Sequence, residues 1–323
     1  MMARPLGGKV CLVTGATRGI GKGVALQLGQ AGATVYITGR TLKRTNNIPG
    51  SLEDTAKEVE SRGGRCIPIQ CDHTDDAQVR GVFERIKQNH DGQLDILVNN
   101  AYAAVKAISS NMSKRFWEHD DNMWDTVNSV GLRNHYLCTV FAARMMVPRQ
   151  QGLIVNISSA GGLRYLFNVP YGVGKAAVDR MAVDCAHELR KHKVAMLSLW
   201  PGSVKTEFIT EYLAEASEKA AEDNAAAKRT KALFIDGESP EFSGKVIVGL
   251  AQDPNLMKKS GRILLSADVA KEYNIRDIDG QEIHSFRSVS VMLKMAGWQR
   301  TAAVIPRFIK VPYFMVTLLN SKF

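Results

Sequence analysis

No run of about 18 apolar residues occurs anywhere in the chain, so no segment is expected to cross a bilayer as a helix. The five cysteines, Cys11, Cys66, Cys71, Cys138 and Cys185, contain no CxxC pair. An odd set without that spacing reads as buried, reduced thiols in a non-oxidising compartment, and no Cys/His cluster has metal-ligand spacing. The opening residues, MMARPLGGKV, lack the apolar core of a secretory leader and run directly into a strand pattern. No nucleic-acid motif accompanies the net charge of +10, so nucleic acid is not an expected partner and scattered basic residues read as solvated surface. Acidic residues are missing after Glu282, while Arg287, Lys294, Arg300, Arg307, Lys310 and Lys322 remain. No internal repeat divides the chain.

What is present is an alternation. Apolar, β-rich runs stand at 10–15 (VCLVTG), 34–39 (TVYITG), 65–72 (RCIPIQCD), 94–101 (LDILVNNA), 153–159 (LIVNISS) and 195–202 (AMLSLWPG). Helical patterns fall between them at 19–31, 51–62 (with Ser51 and Asp54 as capping residues), 75–89, 121–147 and 170–192. Strands apolar on both faces and separated by helices imply a parallel sheet covered on both sides. Right-handed crossovers then give an α/β fold with a single doubly wound, Rossmann-type sheet. The 323 residues suffice for one large domain with additions or two modest ones. The pattern favours one domain over 1–280, with a long loop at 41–50, an Ala/Glu/Lys-rich flap at 203–240 and a basic, apolar C-terminal extension over 281–323.

The first strand leads into TGATRGIG, with Gly15, Gly19 and Gly21 opening a helix. Glycines there let the backbone turn tightly and approach a pyrophosphate seated at the positive end of that helix. Thr17, Arg18 and Ile20 lie within the same turn and join the candidate cofactor contacts. NAD-dependent sites place an acidic residue at the end of the second strand to accept the ribose hydroxyls. Here that strand ends Thr38-Gly39-Arg40, with no carboxylate to repel a 2′-phosphate. Arg18 and Arg40 offer two guanidinium groups for charge-assisted bonds to such a phosphate, which points to NADP(H).

Tyr171 and Lys175, in YGVGK, are four residues apart on a helix and share a face. A free tyrosine has a pKa of about 10, and a neighbouring ammonium is expected to lower it toward the operating pH. The phenol would then protonate a carbonyl oxygen as hydride arrives at carbon. A serine hydroxyl is needed to stabilise the charge developing on that oxygen. Ser158 and Ser159 both precede the pair, and alternation along a strand prevents them from playing the same part.

The TGxxxGxG spacing, YxxxK, NNA at 99–101 and PGSVKT at 201–206 resemble the short-chain dehydrogenase/reductase family over residues 9 to about 280. Tyr102 replaces the glycine of that family's NNAG turn. The resemblance implies further roles. Asp72 would meet the adenine amino group, and Asn99 would belong to the NNA turn at the cofactor. Pro201, Val204 and Thr206 would form the segment that binds the nicotinamide carboxamide, and Lys175 would hold the nicotinamide ribose. Asn128, in DTVNSVG, resembles the helix-bending asparagine that anchors a water relay to the lysine. Ser158 lies 13 residues before Tyr171, the usual family spacing, whereas the motif register points to Ser159. Ser159 is taken as catalytic, with Ser158 as the alternative. The stretches NNAY, SLWPG, NVPYGVGK and NSKF resemble one branch whose members are NADPH-preferring carbonyl reductases associated with the endoplasmic reticulum.

Tyr102, Trp117, Leu163, Tyr165, Phe167 and Phe208 are candidate walls for a bulky lipophilic ketone or aldehyde, steroid-like or xenobiotic, or else they pack beneath their loops. The apolar helices at 121–147 and 170–192 can pair across a two-fold axis as in relatives, giving a homodimer. Residues 298–323 mix apolar and basic side chains and are broken by Pro306 and Pro312. They either lie on an anionic membrane surface or pack over the protein's own sheet. The expected location is cytoplasmic or on the cytosolic face of the endoplasmic reticulum, with the peroxisome a lesser alternative because SKF approximates a peroxisomal address. Rival readings are an NADP-linked alcohol or hydroxysteroid dehydrogenase working oxidatively, a non-catalytic NADPH-binding module, and a membrane-peripheral scaffold.

Overall fold

Strands β1 (Val10–Val13) and β6 (Val194–Trp200) are buried at every position, as parallel strands covered on both faces must be. The computed structural model describes residues 4–44, 50–211, 234 and 237–320. With β2 (Thr34–Gly39), β3 (Arg65–Gln70), β4 (Ile96–Asn99), β5 (Gly152–Ile157) and β7 (Ile263–Leu265), they form a seven-stranded sheet in the order 3-2-1-4-5-6-7. Every pairing is parallel. The order reverses between β1 and β4, and such a switch point leaves a crevice at the carboxyl ends of the strands. The three-residue β7 carries too short a signal to be read from the sequence.

Helices α1 (Gly19–Gln30), α2 (Leu52–Ser61) and α3 (Asp76–Asn89) connect the first four strands. Ser51 caps α2 by accepting from the Asp54 N–H, so Ser51 is the cap and Asp54 its donor. The short α4 (Val105–Ser110) follows β4. The single helix expected at 121–147 is three pieces: α5 (Met123–Asn128), a π-helical turn Ser129–Asn134, and α6 (His135–Met146), which stops just before Pro148. A π turn of this kind commonly accompanies functional sites. Helix α7 (Val169–Leu189) starts with Pro170 in its first turn and is capped by Asn168, whose side chain accepts from the Tyr171 N–H at 2.9 Å.

Two apolar clusters fill the two sheet faces. Val24, Leu28, Phe242 and Ile247, from α1 and α8 (Phe242–Gln252), pack on one face. Phe83, Phe141, Met146 and Ala182, from α3, α6 and α7, pack on the other. The flap reading at 203–240 falls largely on residues outside those described; its described start, 207–211, is helical, and Val204 forms a parallel bridge with Glu238. The 41–50 loop is likewise described only in part.

After α9 (Ser266–Glu272), residues 281–320 continue as α10 (Val289–Met295), α11 (Gln299–Val304) and α12 (Tyr313–Asn320). This extension is tied to α9 through Asp268, whose carboxylate accepts from Arg287, Lys310 and the Tyr313 hydroxyl. Phe286 stacks on Trp200 at the end of β6, with ring centroids 6.4 Å apart. No helix among the described residues is long and apolar enough to cross a membrane.

Candidate active site

The turn after β1 is built for close backbone approach. Gly15 has φ +68°, and a Cβ there would lie 2.6 Å from the Ala101 Cα, at the end of β4. A Cβ at Gly21 would meet the Gly15 oxygen at 2.3 Å and the Asn100 Nδ2 at 2.4 Å. Asn100 clamps this turn: its side chain donates to the carbonyls of Thr14 and Gly15, both at 2.9 Å. The sequence reading missed Asn100, although its place beside Asn99 in NNA was the available signal. At the N-terminus of α1 the Gly19 N–H donates to the Glu207 carboxylate at 2.8 Å. The chain's own anion thus sits where a helix N-terminus favours negative charge. Thr206, next to it, lies against Gly19, and Arg18 is the extended N-cap residue of α1. Thr17 packs against Gly39, Ile20 faces the core, and Arg40 is exposed at the end of β2.

The end of β5 and the start of α7 bring Ser159, Tyr171 and Lys175 together. Ser159 caps a short 3₁₀ turn by accepting from the Gly161 N–H, and its hydroxyl lies near enough to the Tyr171 phenol to favour its charged form. Ser158 is turned the other way: it is buried, and its hydroxyl donates to the Lys175 carbonyl. Asn128, the last residue of α5, is buried and donates to the Pro170 carbonyl at 3.2 Å, which fixes the start of α7.

The expected acidification of Tyr171 by Lys175 is not what the structure shows. Burial raises the Tyr171 phenol above its ordinary value; the nearby Ser159 hydroxyl opposes this and Asp179 adds to it. The ammonium of Lys175 donates to the Ile157 carbonyl at 3.0 Å and stands 6.0 Å from the Tyr171 ring centroid. Burial also lowers Lys175 to about 8, against a partial correction from Asp179. Desolvation is the largest influence on both groups.

Two expected cofactor contacts have hydrogen-bond partners within the chain. Asn99 is fully buried, and its Nδ2 donates to the His135 carbonyl, Thr139 Oγ1 and Asn156 Oδ1, so its side chain ties β4 to β5 and α6 instead of facing a ligand. Asp72 Oδ1 accepts from the Thr74 N–H and hydroxyl, a turn contact that holds the carboxyl below its usual value.

The PG segment rests on a residue the sequence reading did not single out. Glu238 is fully buried and accepts from the Gly202 N–H and from Ser243 and Ser266. Burial raises it to about 7. Val204 is buried beside it, and Pro201 begins the turn. Asp179, one turn beyond Lys175, was also missed; both its oxygens accept from the Trp200 indole, at 3.1 and 3.0 Å.

Of the candidate wall residues, Phe167 and Tyr102 contact the Tyr171 ring edge-on, at centroid distances of 5.0 and 6.1 Å. Tyr165 and Trp117 are exposed, and Trp117 packs only on neighbouring Phe116 among the described ring contacts. Leu163 lines a separate apolar cavity of about 320 Å³ with Trp200, Phe286 and Tyr313.

Residues 9–217 match the family model of short chain dehydrogenases. Dehydrogenase/reductase SDR family member 1 from Mus musculus is 51% identical over the full length of both chains, and the Homo sapiens protein of the same name 50%. A 3-oxoacyl-[acyl-carrier-protein] reductase from Thermotoga maritima is 33% identical, covering 77% of this chain and 92% of its own. Among solved structures, one described as a gluconate 5-dehydrogenase from Beutenbergia cavernae, with NADP at low occupancy, superposes with a TM-score of 0.67. It is 25% identical and covers 81% of this chain and 96% of its own. A shared fold, a matching family model and half-identity along the whole length leave one conclusion: the chain belongs to the short-chain dehydrogenase/reductase family of oxidoreductases, which act on CH–OH and C=O groups.

Proposed function

We propose that this protein is an NADP(H)-dependent carbonyl reductase for lipophilic ketones or aldehydes. The observation that carries the reading is the cluster of Ser159, Tyr171 and Lys175 at the carboxyl end of the sheet, where the glycine turn after β1 also lies. The turn fits a nicotinamide dinucleotide: the Gly19 N–H already holds a carboxylate, and the space over Gly15 and Gly21 closes to any side chain. Gly15, Thr17, Gly19, Ile20 and Gly21 would line the pyrophosphate, with Thr206, Val204 and Pro201 toward the nicotinamide. Arg18 and Arg40, with no carboxylate ending β2, support the 2′-phosphate form. The NADP in the Beutenbergia structure agrees with that choice.

When bound, the cofactor supplies hydride. Tyr171 then gives its proton to the substrate oxygen, and Ser159 donates a hydrogen bond to the same atom. Its raised pKa keeps the phenol fully protonated at neutral pH, which stocks the donor for reduction. An alkoxide is a far stronger base than a phenolate, so the transfer remains downhill. Lys175, held by the Ile157 carbonyl, supplies positive charge beside the phenolate left behind. Asn128 acts by fixing the first turn of α7 through Pro170. Phe167 and Tyr102 give the reacting centre apolar neighbours, which suits a bulky carbonyl.

Exposed Tyr136 on α6 and Val173 and Val183 on α7 support a two-fold dimer through these helices. Exposed Trp298, Val304, Phe308 and Phe314, with Arg300 and Arg307 among them, support contact with an anionic membrane surface.

The test is NADPH consumption across a carbonyl panel. Tyr171→Phe should lower kcat by about 10²–10⁴-fold while NADPH affinity is kept. Catalytic efficiency should favour NADPH over NADH; an active Tyr171→Phe enzyme, or a preference for NADH, overturns the corresponding half of the reading.

A further inference from the structure

Tyr102 stands where the family's NNAG turn has glycine, and its ring enters the site. The Lys175 Nζ is 5.1 Å from the Tyr102 ring centroid, nearer than to Tyr171 at 6.0 Å. The Tyr102 and Tyr171 rings meet at 85°, with centroids 6.1 Å apart. Space for this ring comes from the π turn: a Cβ at Gly131 would lie 2.6 Å from Tyr102 Cε2. The Tyr102 hydroxyl is buried without a hydrogen-bond partner, so what this residue contributes among its described contacts is its ring. Burial, reinforced by the neighbouring Tyr171, holds that phenol far above its ordinary value, and it stays neutral.

The surroundings of Lys175 show why a ring face matters. The ammonium is buried, and its one described hydrogen bond goes to the neutral Ile157 carbonyl. On its own helix, Asp179 favours the charged form. Asp179 is itself raised by burial, against the bond from the Trp200 indole, so its support is partial. From α6, His135 faces the lysine, but burial lowers its imidazole to about 3 and it stays neutral. Tyr171 on α7 is a protonated phenol. The negative face of an aromatic ring attracts a cation most where water is excluded.

We propose that Tyr102 is a positioning residue whose ring face keeps Lys175 an ammonium beside Tyr171. The proposal rests on the reading of Tyr171 and Lys175 given above. It makes the replacement of glycine at 102 a working part of the site: the ring supplies electrostatic support that a solvated lysine would draw from water.

The test is the titration of Lys175 by NMR in protein labelled with [ε-¹³C]lysine, the resonance assigned by its loss in Lys175→Met. In the unsubstituted protein the midpoint is expected at about 8. Tyr102→Phe keeps the ring and should hold the midpoint within a few tenths of a unit. Tyr102→Leu should lower it by about one pH unit, and the alkaline limb of kcat/KM should move with it. Pentafluorophenylalanine at 102 keeps the volume, removes the attractive face, and should act like leucine even if the leucine variant folds poorly. An unchanged midpoint in the fluorinated protein, or a loss of activity equal at all pH values, overturns the proposal. A Tyr171→Phe enzyme that retains activity would instead sink the site reading while leaving this titration intact.

Discussion

At Lys175 and Tyr171 two effects compete, and burial prevails over proximity. The i, i+4 spacing places both side chains on one face of α7, but spacing carries no information on solvent. A buried lysine with a pKa of about 8 is still mostly charged at neutral pH, and a buried phenol above its usual value still carries its proton. Both are the forms a reductase needs before hydride arrives. Glu207 raises a second question at this scale, because its carboxylate holds the N–H at which α1 attracts anions. A pyrophosphate approaching that turn meets a like charge. Glu207→Gln should therefore tighten NADPH binding about two- to five-fold, read as Kd by nucleotide fluorescence, with little change in kcat.

At the scale of elements, the pieces that position the site are those the periodicity described least well. The pattern at 121–147 shows helix without showing the π turn that puts Asn128 against Pro170 and Gly131 against Tyr102. Hydrophobic period alone cannot register one extra residue in a turn. The PG segment after β6 has the same character: its motif is legible, but its support, Glu238, comes from 36 residues further on. Glu238 has a folded pKa of about 7 against 4.5 in a free chain. Between those values the folded protein keeps a proton that the unfolded chain has released, so the contribution of Glu238 to stability should fall as pH rises from 4.5 to 7 and level off above. The change is at most about 3 kcal/mol. Denaturant melts of the wild type and Glu238→Gln should show the stability difference between them shift across that window, because the buried His73 and His135 titrate alike in both.

At the scale of the whole molecule, the sheet order decides where chemistry can happen, and the extension after residue 280 is strapped to the end of β6 and to α9. Asp268 is the buckle: burial would raise its carboxyl, but Lys310, Tyr313 and Arg287 outweigh that and hold it below 3.8. A depressed carboxylate adds stability above its unfolded value, and that stability is lost as pH falls through the lower folded value. Asp268→Asn should therefore free the extension at neutral pH as acid frees it in the wild type. Limited proteolysis would read this as faster cleavage within 281–320 while the sheet domain stays resistant. Removing one partner of a partly buried ionic cluster costs about 3 kcal/mol.

The sequence alone determined the parallel α/β sheet, the glycine turn and the Ser–Tyr–Lys set, since each is written in local spacing: strand and helix periods, three glycines, two residues one helical turn apart. Whether Ser158 or Ser159 meets the phenol was decided only by the chain leaving β5 after Ile157, which turns one hydroxyl toward Tyr171 and the other toward Lys175. The burial of Asn99, the turn role of Asp72, the ring of Tyr102 over Lys175 and the direction of both pKa shifts depend on distant segments meeting. Hydrogen-bond competition and exclusion of water are properties of that meeting, and no local pattern of residues encodes them.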